Sequence, residues 1–373
     1  MTIVKESSPH IRRKGTVSSM MGDVLIALLP TLIFAFIVFP AKTAIFLSIS
    51  LGIMFVCELI NVGLRHMMPK DGQKHSFKER FIYAYKGHIH LDMFLSSAIT
   101  AVIFTLILPP GAPIYAVIIG ALVGIVLGKL VFGGLGSNIF NPAVVGMLFV
   151  KFCFGSQYVT VTDTWYYHIP DVASGGTPLA VINDGLYSHI SDYSLLDMFL
   201  GKIPGTLGEV YTITILVGLI YLLIRRSIDY RIVVSYLGTF TVLALFGGLA
   251  VYLNNNSVNP FTFTLYQLLS GGVLFGAVFM LTDPVTSPVN PPSRYMYGTI
   301  AAISTIFIRF FAALPEGVGF SILIANMIGC VLDHYEWSSQ RFTWKKIVII
   351  ISLIVISILL VFFIIYKGGA YRG

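Results

Sequence analysis

The chain has 373 residues, of which 56% are hydrophobic and 11% charged, with a mean hydropathy of +0.85. A soluble globule carries about 25% charged residues, so an ordinary soluble surface is excluded and the sequence is that of an integral membrane protein. The formal net charge of +7 forms no clustered basic run, which argues for basic membrane loops and against a nucleic-acid partner.

The N-terminal segment, 1–21, is polar and basic (Lys5, Arg12, Arg13, Lys14). It has no short apolar core followed by a small-residue cleavage site, so no cleavable signal is expected. Apolar runs follow at roughly 22–39, 43–62, 93–109, 112–132, 139–156, 209–224, 232–253, 262–281, 296–313 and 317–334, with a last, very apolar run at 346–366. The expected fold is an all-α polytopic membrane protein with about ten transmembrane helices and an extra C-terminal helix. Its parts are a cytoplasmic segment 1–21, a membrane domain 22–334 with a long loop at 157–208, and a loop plus final helix at 335–373.

Basic residues set the expected orientation. Arg65, Lys70, Lys74, Lys78, Arg80 and Lys86 fall in the loop 63–92; Arg225, Arg226 and Arg231 fall in the next basic turn. Arg294 and then Arg341, Lys345 and Lys346 follow near 283–295 and 335–346. Counted span by span, all four loops share the side of the N-terminus, which the positive-inside rule assigns to the cytoplasm. The loop 157–208 is then extracytoplasmic. It is too long for a mere connector.

Four stretches can carry chemistry. "FGGLGSNIFNPAVVG", 132–146, reads as non-helical backbone leading into a helix N-terminus, suited to lining a cavity or a ligand; close helix packing by small residues is the alternative. "DVASGGTPLA", 171–180, presents the Thr177 hydroxyl on a bent backbone between Gly175-Gly176 and Pro178, accessible to a modifying enzyme. A plain turn uses the same residues. "MLTDPVTSPVNPPSRYMYG", 280–298, is an extended, rigid segment with Thr282, Thr286, Ser287 and Arg294 available to a polar ligand, or a stiff connector. In "FIRFFAALPEGVGFSILIAN", 307–326, Arg309 sits inside an apolar run and requires a partner or a cavity unless it snorkels from a helix end. Glu316 is its nearest carboxylate in sequence. Asp23, Glu58, Asp92, Lys129, Lys151, Glu209 and Asp333 lie near predicted span ends, where structural roles are the default. Cys57, Cys153 and Cys330 are scattered and show no metal-ligand spacing. No metal site and no catalytic triad is expected.

Taken together, "SPHIRRKGTVSSMMGDVLIALLPT", "GGLGSNIFNPAVVG", "SGGTPL", "RIVVSYLGT", "TDPVTSPVNPPSRYMYG" and "PEGVGFSILIAN" occur in the order seen in one family. Over about residues 8–334 the chain resembles the RnfD/NqrB family, and within it the D subunits of Rnf ion-translocating oxidoreductase complexes. It is similar, more distantly, to the B subunits of the Na⁺-pumping NADH:quinone reductases. The resemblance implies two inverted repeats of five spans. It implies FMN joined as a phosphoester to Thr177 by a flavin transferase, within a D-x-x-S-G-A-T pattern matched by Asp171, Ser174, Gly175 and Thr177. Gly176 stands where Ala is usual. By analogy with the quinone reductases it implies a second, non-covalent flavin, riboflavin, for which the neighbourhood of Asn138, Asn141, Asp283, Thr286 and Arg294 is the expected place.

The resemblance further implies electron relay between ferredoxin and NAD coupled to Na⁺ or H⁺ translocation in a multi-pass cell-membrane complex. Partner subunits, one bearing FMN and others bearing iron–sulfur clusters, complete the enzyme. Arg309, Glu316 and Asp23 are nominees for coupling residues. Two other readings stand beside this one: a component of a Na⁺-pumping quinone reductase, and a channel or secondary transporter whose broken helices form a path.

Overall fold

A computed structural model describes residues 16–66, 85–86, 89–155, 194–255, 259–312, 317–334, 337 and 339–368. Among these residues all regular structure is helical, as the composition requires. In chain order the helices are α1 (Val17–Val38), α2 (Pro40–His66), α3 (Leu91–Leu106), α4 (Ile114–Ile125) and α5 (Pro142–Cys153). A short α6 (Leu195–Leu200) follows, then α7 (Thr212–Arg225), α8 (Tyr230–Asn255), α9 (Pro260–Leu269) and α10 (Val273–Phe275). The chain continues with α11 (Pro291–Phe311), α12 (Val318–Leu332) and α13 (Trp344–Gly368). α4 and α10 each run into a five-residue π-helical segment, Val126–Leu130 and Gly276–Met280.

Helices α1, α2, α8 and α13 are each long and apolar enough to cross a membrane alone. The run read as one span over 262–281 is in fact broken. α9 and the α10–π segment together are apolar enough to cross, but they meet at 61°. Gly271 and Gly272 make the break, both at positive φ (62° and 68°). A side chain at 272 would collide with the Glu209 carboxylate, 2.6 Å from the position a Cβ would take.

The packing order repeats. α2 packs on α3 and α4, and α4 on α5; α8 packs on α9 and α11, and α11 on α12. α1 and α7, the first spans of the two sets, pack on each other. Contact between helices in lipid relies on small residues that let backbones approach. Here a Cβ on Gly146 of α5 would stand 2.5 Å from the Gly120 carbonyl of α4, and one on Gly124 would stand 2.7 Å from the Pro142 carbonyl. α13 lies outside both sets and covers α8 and α11.

Buried polar groups hold the two sets together. Asp23 of α1 accepts hydrogen bonds from Ser227 Oγ (2.6 Å), Arg225 Nε (3.0 Å) and Tyr221 Oη (3.2 Å), which fixes α1 to the end of α7. Far from that end, the described foot of the long loop is pinned to α3: Gly208 N donates to the Leu106 carbonyl (2.8 Å) and Leu207 N to the Leu108 carbonyl (3.0 Å).

Candidate functional site

The two π-helical segments end in similar ways. After Val126–Leu130 the chain turns through Gly133, Gly134 and Gly136, all at positive φ, and enters α5 at Asn141-Pro142. After Gly276–Met280 it runs through a Pro-rich stretch and enters α11 at Asn290-Pro291. Asn141 caps α5 by accepting from Ala143 N (3.1 Å). Single π turns inside helices recur at functional sites, and here both point their loops to one end of the bundle. Between them lies a cavity of about 420 Å³.

Its walls are largely apolar, with Met20, Met21, Ile103 and Phe279 among them. Polar groups at its edge include Asp92, Lys129, Asn138, Asn141, Thr282 and Asp283. Ser18 Oγ of α1 donates to Asp92 of α3 at the rim. Asp283 is held by its own loop, accepting from Val285 N (3.2 Å) and Thr286 Oγ1 (3.4 Å).

Lys129 is the buried cation of the site. Its Nζ lies 2.6 Å from Glu58 Oε1, and both side chains are 1% exposed. Ser97 completes the set, accepting from Lys129 Nζ (3.1 Å) and donating to Glu58 Oε1 (2.9 Å). Glu58 also lines a second cavity of about 330 Å³ with Asn61, Arg65, His90 and Asp92. Arg65 fixes the glycine loop there, donating to the Gly133 carbonyl (2.6 Å) and to Asn61 Oδ1 (3.0 Å).

Asn138, Asn141 and Asp283 thus line one cavity. Thr286 and Arg294 do not line this cavity. Thr286 is buried behind it against Asp283. Arg294 is turned away, its guanidinium donating to the Pro288 carbonyl (2.8 Å) and ion-paired with Asp229, so it braces the second loop from outside. The Pro-rich loop leaves carbonyls without helical partners, and a long planar cation is suited to hold one.

Arg309 is fully buried on α11, which rules out snorkelling. It donates to the Gln267 carbonyl (2.7 Å) and Oε1 (3.0 Å), and to the carbonyls of Ser270 (3.0 Å) and Gly271 (2.8 Å). The three carbonyls are acceptors freed by the break after α9, so Arg309 serves as a clamp on that helix end. Glu316, its carboxylate neighbour in sequence, lies outside the described residues. So do Asp171, Ser174, Gly175, Gly176 and Thr177.

The Glu58–Lys129 pair escaped the sequence reading, which left both residues with default structural roles. The available signal was two opposite charges in separate apolar runs, each requiring a partner. Spacing alone does not say that they meet.

The family model described as "NQR2, RnfD, RnfE family" matches residues 4–340. Among curated proteins, the B subunit of the Na(+)-translocating NADH-quinone reductase of Chromohalobacter salexigens is 37% identical over 240 residues, covering 64% of this chain. The chain spans just 57% of that relative's length. The D subunit of the Na(+)-translocating ferredoxin:NAD(+) oxidoreductase complex of Acetobacterium woodii is 30% identical over 337 residues, covering 90% of this chain and 94% of the relative. The D subunit of the ion-translocating oxidoreductase complex of Haemophilus ducreyi is 28% identical, covering 88% and 96%.

Proposed function

Because the chain belongs to the NQR2, RnfD, RnfE family, we propose that it is the flavin-carrying membrane subunit of an Rnf-type complex. In this reading it relays electrons between ferredoxin and NAD while the complex moves Na⁺ or H⁺. The observation that carries the reading is the near end-to-end match to the Acetobacterium woodii protein. The match to the quinone reductase relative takes in 64% of this chain.

Thr177 is the proposed attachment point. Its hydroxyl oxygen forms a phosphoester with FMN, with net loss of water, through a dedicated flavin transferase. Asp171, Ser174 and Gly175 complete the pattern around it, with Gly176 where Ala is usual. The flavin supplies the electron chemistry when bound; the protein supplies position and electrostatics. The described foot of the loop, Leu207 and Gly208, is tied to the end of α3 that lies away from the π loops.

The cavity between the π loops fits a second, non-covalent flavin, riboflavin. Cofactor sites measure about 300–1,000 Å³ and combine apolar walls with a few convergent polar groups; this one has about 420 Å³, with Asn138, Asn141, Asp283 and Lys129 at its edge. Those side chains would hold the polar rim of a flat ring while the apolar walls exclude water from its face. The sequence holds no dinucleotide fingerprint and no cluster-ligand spacing, so the FMN-bearing and iron–sulfur partner subunits supply NAD and ferredoxin chemistry.

The test is denaturing-gel fluorescence of the chain co-produced with its flavin transferase, wild type beside Thr177→Ala, with mass spectrometry of the 157–202 region. A fluorescent band lost in the mutant, with one FMN minus water on Thr177, is expected. A wild-type band without flavin, given an active transferase, moves the channel or transporter reading to the front. The 37% identity to the Chromohalobacter salexigens relative favours one second reading, a component of a Na⁺-pumping NADH:quinone reductase. A strict quinone requirement in the purified complex, with no response to ferredoxin, selects it.

A further inference from the structure

The two cavities share a wall, and a buried ion pair stands in it. Lys129 lines the larger cavity and Glu58 the smaller; Asp92 and Leu135 line both. Burying two charges costs several kcal/mol per ion, and a well-packed apolar pair would join the helices at least as firmly. The pair is therefore poorly explained as glue between α2, α3 and α4. A second carboxylate opens onto the cavity that the cation lines: Asp283 and Lys129 both stand in the wall of the larger one. One flexible ammonium, with three rotatable donors on a four-carbon stem, thus pairs with a carboxylate of the first half and shares a cavity with one of the second.

We propose that Lys129 is a two-position gate between the cavities, closing their common wall when paired with Glu58 and opening it when paired with Asp283. The transfer moves one positive charge from α2 to the loop after the second π segment. Asp283 is oriented by Val285 and Thr286 of its own loop, so any change in that loop biases the gate. A switch needs two discrete arrangements and differential contacts in each, and the two carboxylates provide them. This inference goes beyond the redox reading, and its test needs no electron donor.

Ser97 touches both members of the closed pair and serves as the reporter. The experiment places Ser97→Cys in the full complex, with Cys57, Cys153 and Cys330 replaced by Ala, and follows mixed-disulfide formation with a methanethiosulfonate ethylammonium reagent, which releases methanesulfinate, in detergent. Glu58→Gln should send Lys129 to Asp283 and raise the labelling rate about tenfold, a population shift of one decade. Adding Asp283→Asn should remove the second position and bring the rate back to within about twofold of the parent. Asp283→Asn alone should label at the parent rate. An unchanged rate in Glu58→Gln overturns the gate. So does a double variant that labels as fast as Glu58→Gln or faster, because that is loosening and not transfer. Should Glu58→Gln fail to assemble, Asp283→Glu takes its place: it keeps both carboxylates and extends the second, so labelling should rise, and an unchanged rate overturns the proposal.

Discussion

The two interrupted segments, 114–153 and 260–311, solve one problem with different chemistry. Each carries a π-helical stretch, then a loop, then a helix entered at Asn-Pro. Each also buries one cation. In the first, Lys129 lies within the π segment and pairs with a side chain, Glu58. In the second, Arg309 lies on the following helix and holds mainly backbone, the carbonyls of Gln267, Ser270 and Gly271. Backbone acceptors cannot be exchanged, titrated or moved without unwinding the helix, so the Arg309 clamp is fixed. A carboxylate partner can be substituted, protonated or left behind, so the Lys129 contact can change. The Arg309 clamp is thus built for rigidity, whereas the Lys129 pair, in the wall between the cavities, is the contact that can change.

The largest effect expected from breaking this contrast is at Arg309. Arg309→Met removes the donor from four acceptors, the carbonyls of Gln267, Ser270 and Gly271 and Gln267 Oε1, at about 1–3 kcal/mol for each that is buried. The variant should fail to accumulate, or melt far below wild type in detergent. Gln267→Met added to it should not help, because the carbonyls remain. Lys129→Met comes next. It leaves Glu58 buried without its cation, a loss of about 3–5 kcal/mol. Here the partner is a side chain, so Lys129→Met with Glu58→Met should recover to within about 1 kcal/mol of wild type. Thermal melting of the four variants checks both halves of the comparison. Rescue at Arg309, or none at Lys129, would erase the distinction.

How much of this could be read from the sequence follows from which forces are local. Hydropathy is local, and the long spans and the extra C-terminal helix were legible from it. The break after α9 was not, because "LSGG" inside an apolar run is also what close helix packing uses; only the positive φ of Gly271 and Gly272 shows that they bend the chain. The stretch with Asn138 and Asn141 was legible as non-helical backbone suited to line a cavity, because its glycines lie at membrane depth; Asp283 entered only through the family resemblance. Arg294 was misplaced for a related reason. A cation beside a Pro-rich loop suits a ligand, but its partner Asp229 lies just before α8, which sequence spacing does not bring near. Pairing between residues far apart in sequence depends on tertiary packing, and that also hid Glu58 from Lys129.

A smaller effect is expected where the contrast concerns space. Gly146→Val drives a branched side chain into the Gly120 carbonyl, 2.5 Å from the Cβ position, and should cost about 1–3 kcal/mol by overpacking. Because α4 runs into the π segment that carries Lys129, the displacement should also raise labelling at the Ser97→Cys reporter. Unchanged labelling with lowered stability would separate the packing of α4 on α5 from the wall between the cavities.

The smallest effect tests whether charge matters in the clamp at all. Asn254 of α8 caps the end of α13 as Arg309 caps α9: its Nδ2 donates to the carbonyls of Ile365 (3.0 Å) and Tyr366 (3.2 Å). The device is the same, but the donor is neutral and the residue exposed. Water can replace it, so Asn254→Ala should cost at most about 1 kcal/mol, seen as faster hydrogen exchange in the last turn of α13 with the melting temperature of the bundle nearly unchanged. A loss near that of Arg309→Met would mean that covering helix-end carbonyls is what counts, whatever the donor's charge or burial. The ranking from Arg309 to Asn254 rests on the opposite view: a carbonyl that water cannot reach makes its donor indispensable, and one that water can reach does not.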